Sequence, residues 1–238
     1  MIVPHRESGI QSLIQSAATA VTTEVFKAGK DGVLLLFSGG SPLEVAKVLS
    51  EDLFGPTVTV GVSDERYSTD PHINNFAQIS GMPWYAGACT NGMNTIDTRP
   101  LLNESLVDTA MRFDRALKNW REQYPQGKIV ITQGIGLDGH TAGMMPYPEN
   151  PAFFTNSFVT TDRWAVGYDA GKKNSYPLRI TTTVPFLLQV DVSIVFVIGE
   201  SKQLPVHWVF AETHDVSEIP GQILHQMRSV AVYTDRTW

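Results

Sequence analysis

Two kinds of hydrophobic pattern alternate along the chain. Short apolar runs beside glycine or a polar turn predict strands buried on both faces, as in a parallel sheet. These runs lie at 33–37, 57–62, 128–132, 192–198 and 229–233. Segments in which apolar residues recur every three or four positions predict amphipathic helices. These segments lie at 6–28, from Pro42 to about Leu49, at 101–122 and at 201–211.

The segments between these elements are less regular. Residues 67–100 are rich in Gly, Pro, Asn and Thr, and only a short helix from about Asn75 to Ile79 is predicted there. Residues 146–176 are irregular, and short strands are predicted there only near 157–160 and 163–168. The alternation of strand and helix elsewhere predicts an α/β fold on an open, mostly parallel sheet with helices on both faces. No repeat or linker interrupts the chain, so a single domain over residues 1–238 is expected.

The composition narrows the class of protein without specifying an activity. The 238 residues carry 18 Lys and Arg against 24 Asp and Glu, and 42% of them are hydrophobic. This balance excludes intrinsic disorder, and nucleic acid is not expected as a partner of an acidic chain. No apolar run approaches the roughly 18 residues of a membrane-spanning helix, and no signal peptide is apparent, so a cytoplasmic protein is expected. Cys89 is the only cysteine and is expected to be a buried or idle thiol.

Polar residues gather where the first two predicted strands end, at the edge where open α/β sheets bind ligands. Residues 38–41 (Ser-Gly-Gly-Ser) leave the first strand and open a helix. Glycines let the backbone approach a ligand, and the N–H groups at a helix start favour an anion. A phosphate site and a plain tight turn are both consistent with this segment. Residues 64–66 (Asp-Glu-Arg) follow the second strand, either as a solvated loop or as part of the same site.

A glycine-rich loop follows the strand at 128–132. Its sequence over 134–141 is Gly-Ile-Gly-Leu-Asp-Gly-His-Thr. Asp138 and His140 are two residues apart, so the loop can turn both inward, and histidine suits general base catalysis near neutral pH. A structural histidine is the alternative. The match to G-x-G-x-x-G is discounted because the acidic residue of a dinucleotide site is missing, and the scattered histidines predict no zinc site.

Two further cations complete the candidates. Arg179 precedes a run of Ile and Thr, and Lys202 follows the strand at 192–198. Each alone could be a surface charge. Together with residues 38–41 they would supply two cations that hold a phosphate dianion.

Five segments, in this order, resemble the 6-phosphogluconolactonases, in the superfamily that also includes the glucosamine-6-phosphate deaminases. The resemblance runs from about residue 34 to 211, and the Gly-Asp-Gly-His-Thr segment is the most specific part of it. The segments are 37–42 (Phe-Ser-Gly-Gly-Ser-Pro), 63–67 (Ser-Asp-Glu-Arg-Tyr) with Asn74 and Asn75 downstream, 134–143 (Gly-Ile-Gly-Leu-Asp-Gly-His-Thr-Ala-Gly), 179–181 (Arg-Ile-Thr) and 199–202 (Gly-Glu-Ser-Lys).

The resemblance implies a three-layer α/β/α sandwich on a Rossmann-like sheet. It implies hydrolysis of 6-phosphogluconolactone to 6-phosphogluconate in the oxidative pentose phosphate pathway, with no metal and no cofactor. The implied partner is the phosphorylated sugar lactone, and the sequence carries no signal for an oligomeric state. His140 is implied as the general base, Asp138 as the residue that orients it, and Arg66 as a group that binds substrate or stabilises negative charge. The residues implied in substrate and phosphate binding are Ser38, Gly39, Gly40, Ser41, Asp64, Arg179 and Lys202.

Two other functions stay open. A glucosamine-6-phosphate deaminase would have Asn-Glu-Pro after the histidine loop, whereas residues 144–146 are Met-Met-Pro. A sugar-phosphate sensor without turnover would need a DNA-binding extension, whereas residues 1–32 contain only one predicted helix. The chain also departs from the lactonase pattern at Gly143, where serine is usual, and over 85–98 and 169–177, and these departures could reshape the substrate pocket.

Overall fold

A seven-stranded sheet forms the centre of the computed structural model, which describes residues 2–7 and 9–238. Its strand order is β1-β10-β9-β6-β2-β3-β5, and every neighbouring pair is parallel. A second, three-stranded antiparallel sheet has the order β4-β8-β7. The strands are β1 (Ile2–His5), β2 (Val33–Phe37), β3 (Val58–Val62), β4 (Asp64–Arg66), β5 (Asn94–Thr95), β6 (Lys128–Gln133), β7 (Ala165–Asp169), β8 (Leu178–Thr182), β9 (Val192–Val197) and β10 (Val230–Thr234).

Helices cover both faces of the large sheet. The helices are α1 (Ile10–Ala28), α2 (Leu43–Lys47), α3 (Asn75–Ser80), α4 (Tyr85–Thr90), α5 (Leu106–Gln123), α6 (Pro151–Phe154), α7 (Val184–Leu187) and α8 (Gln203–Phe210). Along β2, Leu35 and its alternate neighbours pack with α1, whereas Leu34 and Leu36 pack with α5. Alternate side chains of one strand therefore feed two separate cores, as the period of two in a strand requires. The predicted three-layer α/β/α architecture is confirmed.

The apolar runs predicted five of the seven strands described in the large sheet, whereas β1 and β5 were not predicted. The strands expected at 33–37, 57–62, 128–132, 192–198 and 229–233 all form, within a residue or two at each end. The short helix expected near Asn75 is α3, and the strand expected near 163–168 is β7. Five consecutive buried residues in β2 show why such runs are reliable, since both faces of this strand are covered.

Several expected boundaries are wrong. The helix expected from residue 101 begins only at Leu106, because the Ser105 hydroxyl accepts a hydrogen bond from the Asp108 N–H in a capping box. Leu102, expected on its buried side, is 93% exposed. The helix expected over 6–28 begins at Ile10, whose side chain is exposed, and Ser8 lies outside the described residues.

Two other expectations fail in the less regular segments. The strand proposed near 157–160 is instead part of a π-helical turn over Thr155–Val159 that continues α6 and buries Phe158. Cys89 is an exposed free thiol on α4, so the buried alternative is wrong, whereas an idle thiol stays a prediction. Among the helices of the described residues, none combines the length and apolar character needed to cross a membrane.

The small antiparallel sheet was not predicted, and it matters most for the site. For residues 64–66 a solvated loop and a part of the site were both left open; they form β4 and pair with β8, with Arg66 directly opposite Arg179. Directly opposed residues of an antiparallel pair project from the same face. Two arginines distant in sequence therefore stand side by side at the end of β3.

Candidate active site

One cleft contains every residue that the sequence predicted for the site. It has a volume of about 480 Å³ and lies beyond the carboxyl ends of β2, β3, β6 and β9, where ligands bind in sheets of this kind. The predicted residues that line it are Ser38, Gly39, Gly40, Ser41, Asp64, Arg66, Asp138, His140, Arg179 and Lys202. The five sequence segments thus converge in space, although their separate roles stay predictions.

Asp138 and His140 form a close pair in the loop after β6. The Oδ1 atom of Asp138 lies 2.5 Å from Nδ1 of His140 and also accepts the backbone N–H of His140 at 3.2 Å. Burial raises the pKa of Asp138, but the hydrogen bond and charge of His140 outweigh it, so the pKa lies below its ordinary value. An ionised Asp138 favours the tautomer with the proton on Nδ1, which makes Nε2 the basic nitrogen.

Gly136 allows this pair to close. A Cβ atom on Gly136 would lie 2.5 Å from Asp138 Oδ1 and nearer still to the His140 ring. The loop is tied across by the Gly136 N–H, which donates to the His140 carbonyl at 2.8 Å. A glycine at the second position of Gly-x-Gly is therefore required by the carboxylate–imidazole pair itself.

Gly143 explains one departure from the lactonase pattern. Its φ is +80°, a conformation that favours glycine, and a Cβ atom there would lie 2.7 Å from Cβ of Asp64. In this chain the turn after the histidine loop packs directly on β4, so the serine usual at this position would not fit without a shift. The departure is thus a local packing solution and leaves the His140 pair untouched.

A series of hydrogen-bonded, buried polar side chains supports the glycine-rich loop. Two of them, Gln133 and Ser193, were not predicted from the sequence. Ser193 Oγ donates to Gln133 Oε1 at 2.5 Å, and Gln133 Nε2 donates to Thr141 Oγ1 at 3.2 Å. Thr141 Oγ1 in turn donates to the Gly134 carbonyl at 2.9 Å. All three side chains are fully or almost fully buried. The signal that could have identified them is polar residues placed within otherwise apolar strands.

Three cations differ in how they are compensated. Arg179 is almost fully buried and forms an ion pair with Asp64, with Nη2 and Oδ2 2.7 Å apart. Lys202 donates to the Ile135 carbonyl at 2.6 Å, and burial lowers its pKa although Asp138 opposes this. Arg66 has no carboxylate within ion-pair distance among the described residues. Within the part of the chain that the structure describes, the cleft therefore holds one arginine neutralised by Asp64 and two cations, Arg66 and Lys202, without an ion-pair partner.

The predicted contact of Asp64 with substrate is constrained by this ion pair. Its carboxylate holds Arg179 and would repel a phosphate group. The side-chain amide of Asn75 donates to the backbone carbonyl oxygen of Asp64 at 2.9 Å. The hydroxyl oxygens of Ser38 and Ser63 are hydrogen-bonded at 2.7 Å, which joins the end of β2 to the residue before Asp64. The geometry fits Asp64 as the partner of Arg179 more directly than as a ligand of an anion.

Glu65 was predicted only as part of a charged triplet, yet it is fully buried and, unlike its neighbours Asp64 and Arg66, does not line the cleft. Its carboxylate accepts four hydrogen bonds of 2.5–2.9 Å, from three backbone N–H groups and one hydroxyl. The donors are Arg66 N, Asn75 N, Phe76 N and Thr98 Oγ1. Burial, the largest influence, raises the pKa of Glu65 to about 7, although these bonds oppose it. Glu65 thus fixes the start of α3 against β4.

The cleft contains no obvious metal centre. Within residues 2–7 and 9–238, no three or more His, Cys, Asp or Glu side chains are grouped so that they could hold a metal ion. The polar chemistry that the cleft offers is a carboxylate-oriented imidazole beside several cations and a Ser-Gly-Gly-Ser loop. Such an arrangement can activate water next to a bound anion.

A comparison with models of known protein families identifies the family of this chain. The family model described as glucosamine-6-phosphate isomerases/6-phosphogluconolactonase matches residues 8–233. The chain belongs to this family, which confirms the resemblance predicted from the five segments.

Two relatives are similar to this chain in sequence, and one solved structure is similar to it in fold. A 6-phosphogluconolactonase from Synechocystis sp. is 25% identical over 222 residues, which cover 90% of this chain and 87% of the relative. One from Nostoc sp. is 25% identical over 230 residues, which cover 94% and 89%. The fold is similar to the crystal structure of a 6-phosphogluconolactonase from Shewanella baltica, with a TM-score of 0.82, 20% identity and coverage of 100% and 98%.

Proposed function

We propose that this protein is a carboxylic ester hydrolase that opens 6-phosphogluconolactone to 6-phosphogluconate. The observation that carries the proposal is the Asp138–His140 pair, 2.5 Å apart, in the same cleft as Arg66 and Lys202. The family and the two relatives named 6-phosphogluconolactonase support the same substrate. This reaction is the second step of the oxidative pentose phosphate pathway, and we propose a cytoplasmic location on that ground.

The reaction needs one base and a place for negative charge. His140 Nε2 takes a proton from water as the oxygen attacks the lactone carbonyl, giving a tetrahedral oxyanion and an imidazolium. Asp138 stabilises the imidazolium through Nδ1–H. The intermediate then expels the ring oxygen, which receives the proton from Nε2, so His140 returns to its neutral form. A positioned base of this kind contributes about 10²–10⁴-fold.

The phosphate group supplies orientation. Lys202, Arg179 and residues 38–41 line the same cleft as His140. A phosphate dianion there would balance the charges of Lys202 and Arg66, which have no ion-pair partner among the described residues. Arg66 stands beside Arg179 and is proposed to bind the substrate or stabilise the oxyanion. Binding energy from the phosphate, remote from the carbonyl, can then be used to position the reacting atoms.

The deaminase alternative loses support from the surroundings of His140. Met144 and Met145, which stand where the deaminases have an acid after the histidine loop, are fully buried in the apolar core. The nearest following glutamate, Glu149, is more than half exposed and pairs with Lys173. The residues that line the cleft therefore include no carboxylate from positions 144–149.

The test is hydrolysis of freshly made 6-phosphogluconolactone, with the spontaneous rate subtracted. We expect His140→Ala to lose at least about 10² of the acceleration. His207→Ala is the matched control, because His207 lies on α8 outside the cleft, and it should retain wild-type activity. Equal activity of wild type and His140→Ala would remove His140 as the base. A wild type no faster than background would refute the lactonase proposal, and deamination of glucosamine 6-phosphate would be measured next.

A further inference from the structure

Arg66 stands in an unfavourable place for a cation when the cleft is empty. It lies directly opposite Arg179 in the β4–β8 pair, where like charges destabilise each other. Asp64 is already engaged by Arg179, and no other carboxylate pairs with Arg66 among the described residues. The Nε atom of Arg66 is also buried without a hydrogen-bond partner. Electrostatics alone would move this guanidinium away from Arg179.

A second hollow gives Arg66 somewhere else to go. Next to the cleft lies a hollow of about 710 Å³, and Arg66 and Gly40 line both spaces. Glu44 lines only this second hollow. A guanidinium on the boundary between the two spaces can turn toward either of them unless another group fixes it.

The ring of Tyr176 provides that contact. The Arg66 guanidinium carbon lies 5.0 Å from the centre of the ring, within the range of cation–π attraction. The electron-rich ring face attracts a cation without neutralising it, unlike a carboxylate. Arg66 therefore keeps its full charge for a ligand while its position is held.

The loop that carries Tyr176 is itself fixed at several points. The Ala170 N–H donates to the Pro177 carbonyl at 2.8 Å and closes the base of the loop. The Tyr176 N–H donates to Asn174 Oδ1 at 3.0 Å, which sets the turn before the ring. Lys173 anchors the far side through an ion pair of 2.7 Å with Glu149. This is the segment, 169–177, that departs from the pattern of the lactonases.

We propose that Tyr176 is a positioning residue that holds the Arg66 guanidinium in the cleft, where it binds the anionic part of the substrate. The inference deepens the proposed function and rests on it. Tyr176 makes no proton transfer, and its effect passes entirely through Arg66. The segment 169–177 is thereby assigned a purpose: it supplies a ring that keeps an uncompensated arginine beside Arg179.

A double-mutant cycle tests this coupling. Five proteins are compared: wild type, Tyr176→Phe, Tyr176→Leu, Arg66→Gln and the double variant Arg66→Gln/Tyr176→Leu. The measurements are kcat and KM for the lactone and calorimetric binding of 6-phosphogluconate, with thermal unfolding as the check on folding. Loss of one cation–π contact predicts a decrease of about threefold to tenfold in kcat/KM for Tyr176→Leu. Tyr176→Phe keeps the ring and should stay within about twofold of wild type.

The decisive result is the effect of Tyr176→Leu when Arg66 is absent. If Tyr176 acts through Arg66, the double variant should be no more than about twofold worse than Arg66→Gln alone. Because the proposal places Arg66 on the anionic part of the substrate, the loss should appear in KM and in 6-phosphogluconate binding; a loss confined to kcat would contradict that placement.

Other outcomes separate this inference from the proposed function. The positioning role would be overturned if Tyr176→Leu lowered kcat/KM by the same factor in wild type and in Arg66→Gln. It would also be overturned if Tyr176→Phe were as impaired as Tyr176→Leu. Either result would leave the proposed lactonase function intact. A wild type without lactonase activity would refute the proposed function, and the cycle would then be decided by 6-phosphogluconate binding. Absence of both activity and binding would overturn both.

Discussion

Gly136→Ala gives the sharpest test of the His140 pair. The added Cβ would lie 2.5 Å from Asp138 Oδ1 and closer to the imidazole, whereas ordinary contacts begin at 3.4 Å. One or both side chains must therefore move by about 1 Å or more. A displacement of about 1 Å at a reacting group can cost about 10²-fold in rate. We expect kcat/KM for the lactone to fall by about that factor.

The fold should tolerate this substitution. The side chains of Asp138 and His140 are 38% and 26% exposed, so they can turn toward solvent instead of straining the core. Gly136 is not in the left-handed region, so alanine meets no backbone strain there. Reduced freedom of the unfolded chain adds about 0.4–1 kcal/mol in favour of the variant. The free energy of unfolding should consequently change far less than the activity.

Gly134→Ala is the matched control, two residues away in the same loop. Its Cβ would meet only Pro42, at 3.4 Å, which is an ordinary contact. This variant should keep activity within about twofold of wild type. The assay is lactone hydrolysis with background subtracted, beside urea unfolding of each variant. Equal activities of Gly136→Ala and Gly134→Ala would show that the 2.5 Å pair is not needed for turnover.

Two further predictions concern buried charge. Asp64→Asn leaves Arg179 buried without its counter-ion, which should lower the free energy of unfolding, measured in urea, by about 3–5 kcal/mol. Adding Arg179→Met to this variant should restore part of the lost stability. No recovery would contradict a pairwise role of the two residues. The pKa of Glu65 is raised from 4.5 to about 7 in the folded state. Between these pH values the folded protein therefore binds more protons than the unfolded chain. Wild type should consequently lose stability relative to Glu65→Gln as the pH rises from about 4.5 to 7. A pH-independent difference between these two proteins would contradict a raised pKa.

Five of the seven strands described in the large sheet could be predicted from sequence because their signal is local; β1 and β5, at the two edges, lack such an apolar run. Five consecutive apolar residues in β2 can be satisfied only by burial on both faces. The residues of the cleft could also be predicted, since the carboxyl ends of parallel strands meet at one edge. The helix at 101–122 was misplaced because Leu102 has helical spacing, whereas Ser105 and Asp108 decide where the helix begins.

The small sheet could not be predicted from local pattern. Strand β4 is three residues of charge, Asp-Glu-Arg, which no periodicity identifies as a strand. It forms because β8, more than a hundred residues later, supplies its partner, and because Glu65 satisfies the start of α3. The side-by-side placement of Arg66 and Arg179 follows from this pairing alone. Long-range pairing, rather than composition, therefore creates the cationic part of the cleft.

The chain as a whole is negatively charged, whereas its cleft is lined by the cations Arg66, Arg179 and Lys202. The sequence carries a formal charge of −6, which argued against nucleic acid as a partner. Salt screens charges over about 8–10 Å at physiological ionic strength, so the distant acidic surface has little influence on a small anion inside the cleft. Arg66 and Lys202 line that cleft and have no ion-pair partner among the described residues, so we expect their charges to act on a bound anion at short range. An acidic protein can thus hold a phosphorylated sugar, and only the local arrangement of β4, β8 and residue 202 decides it.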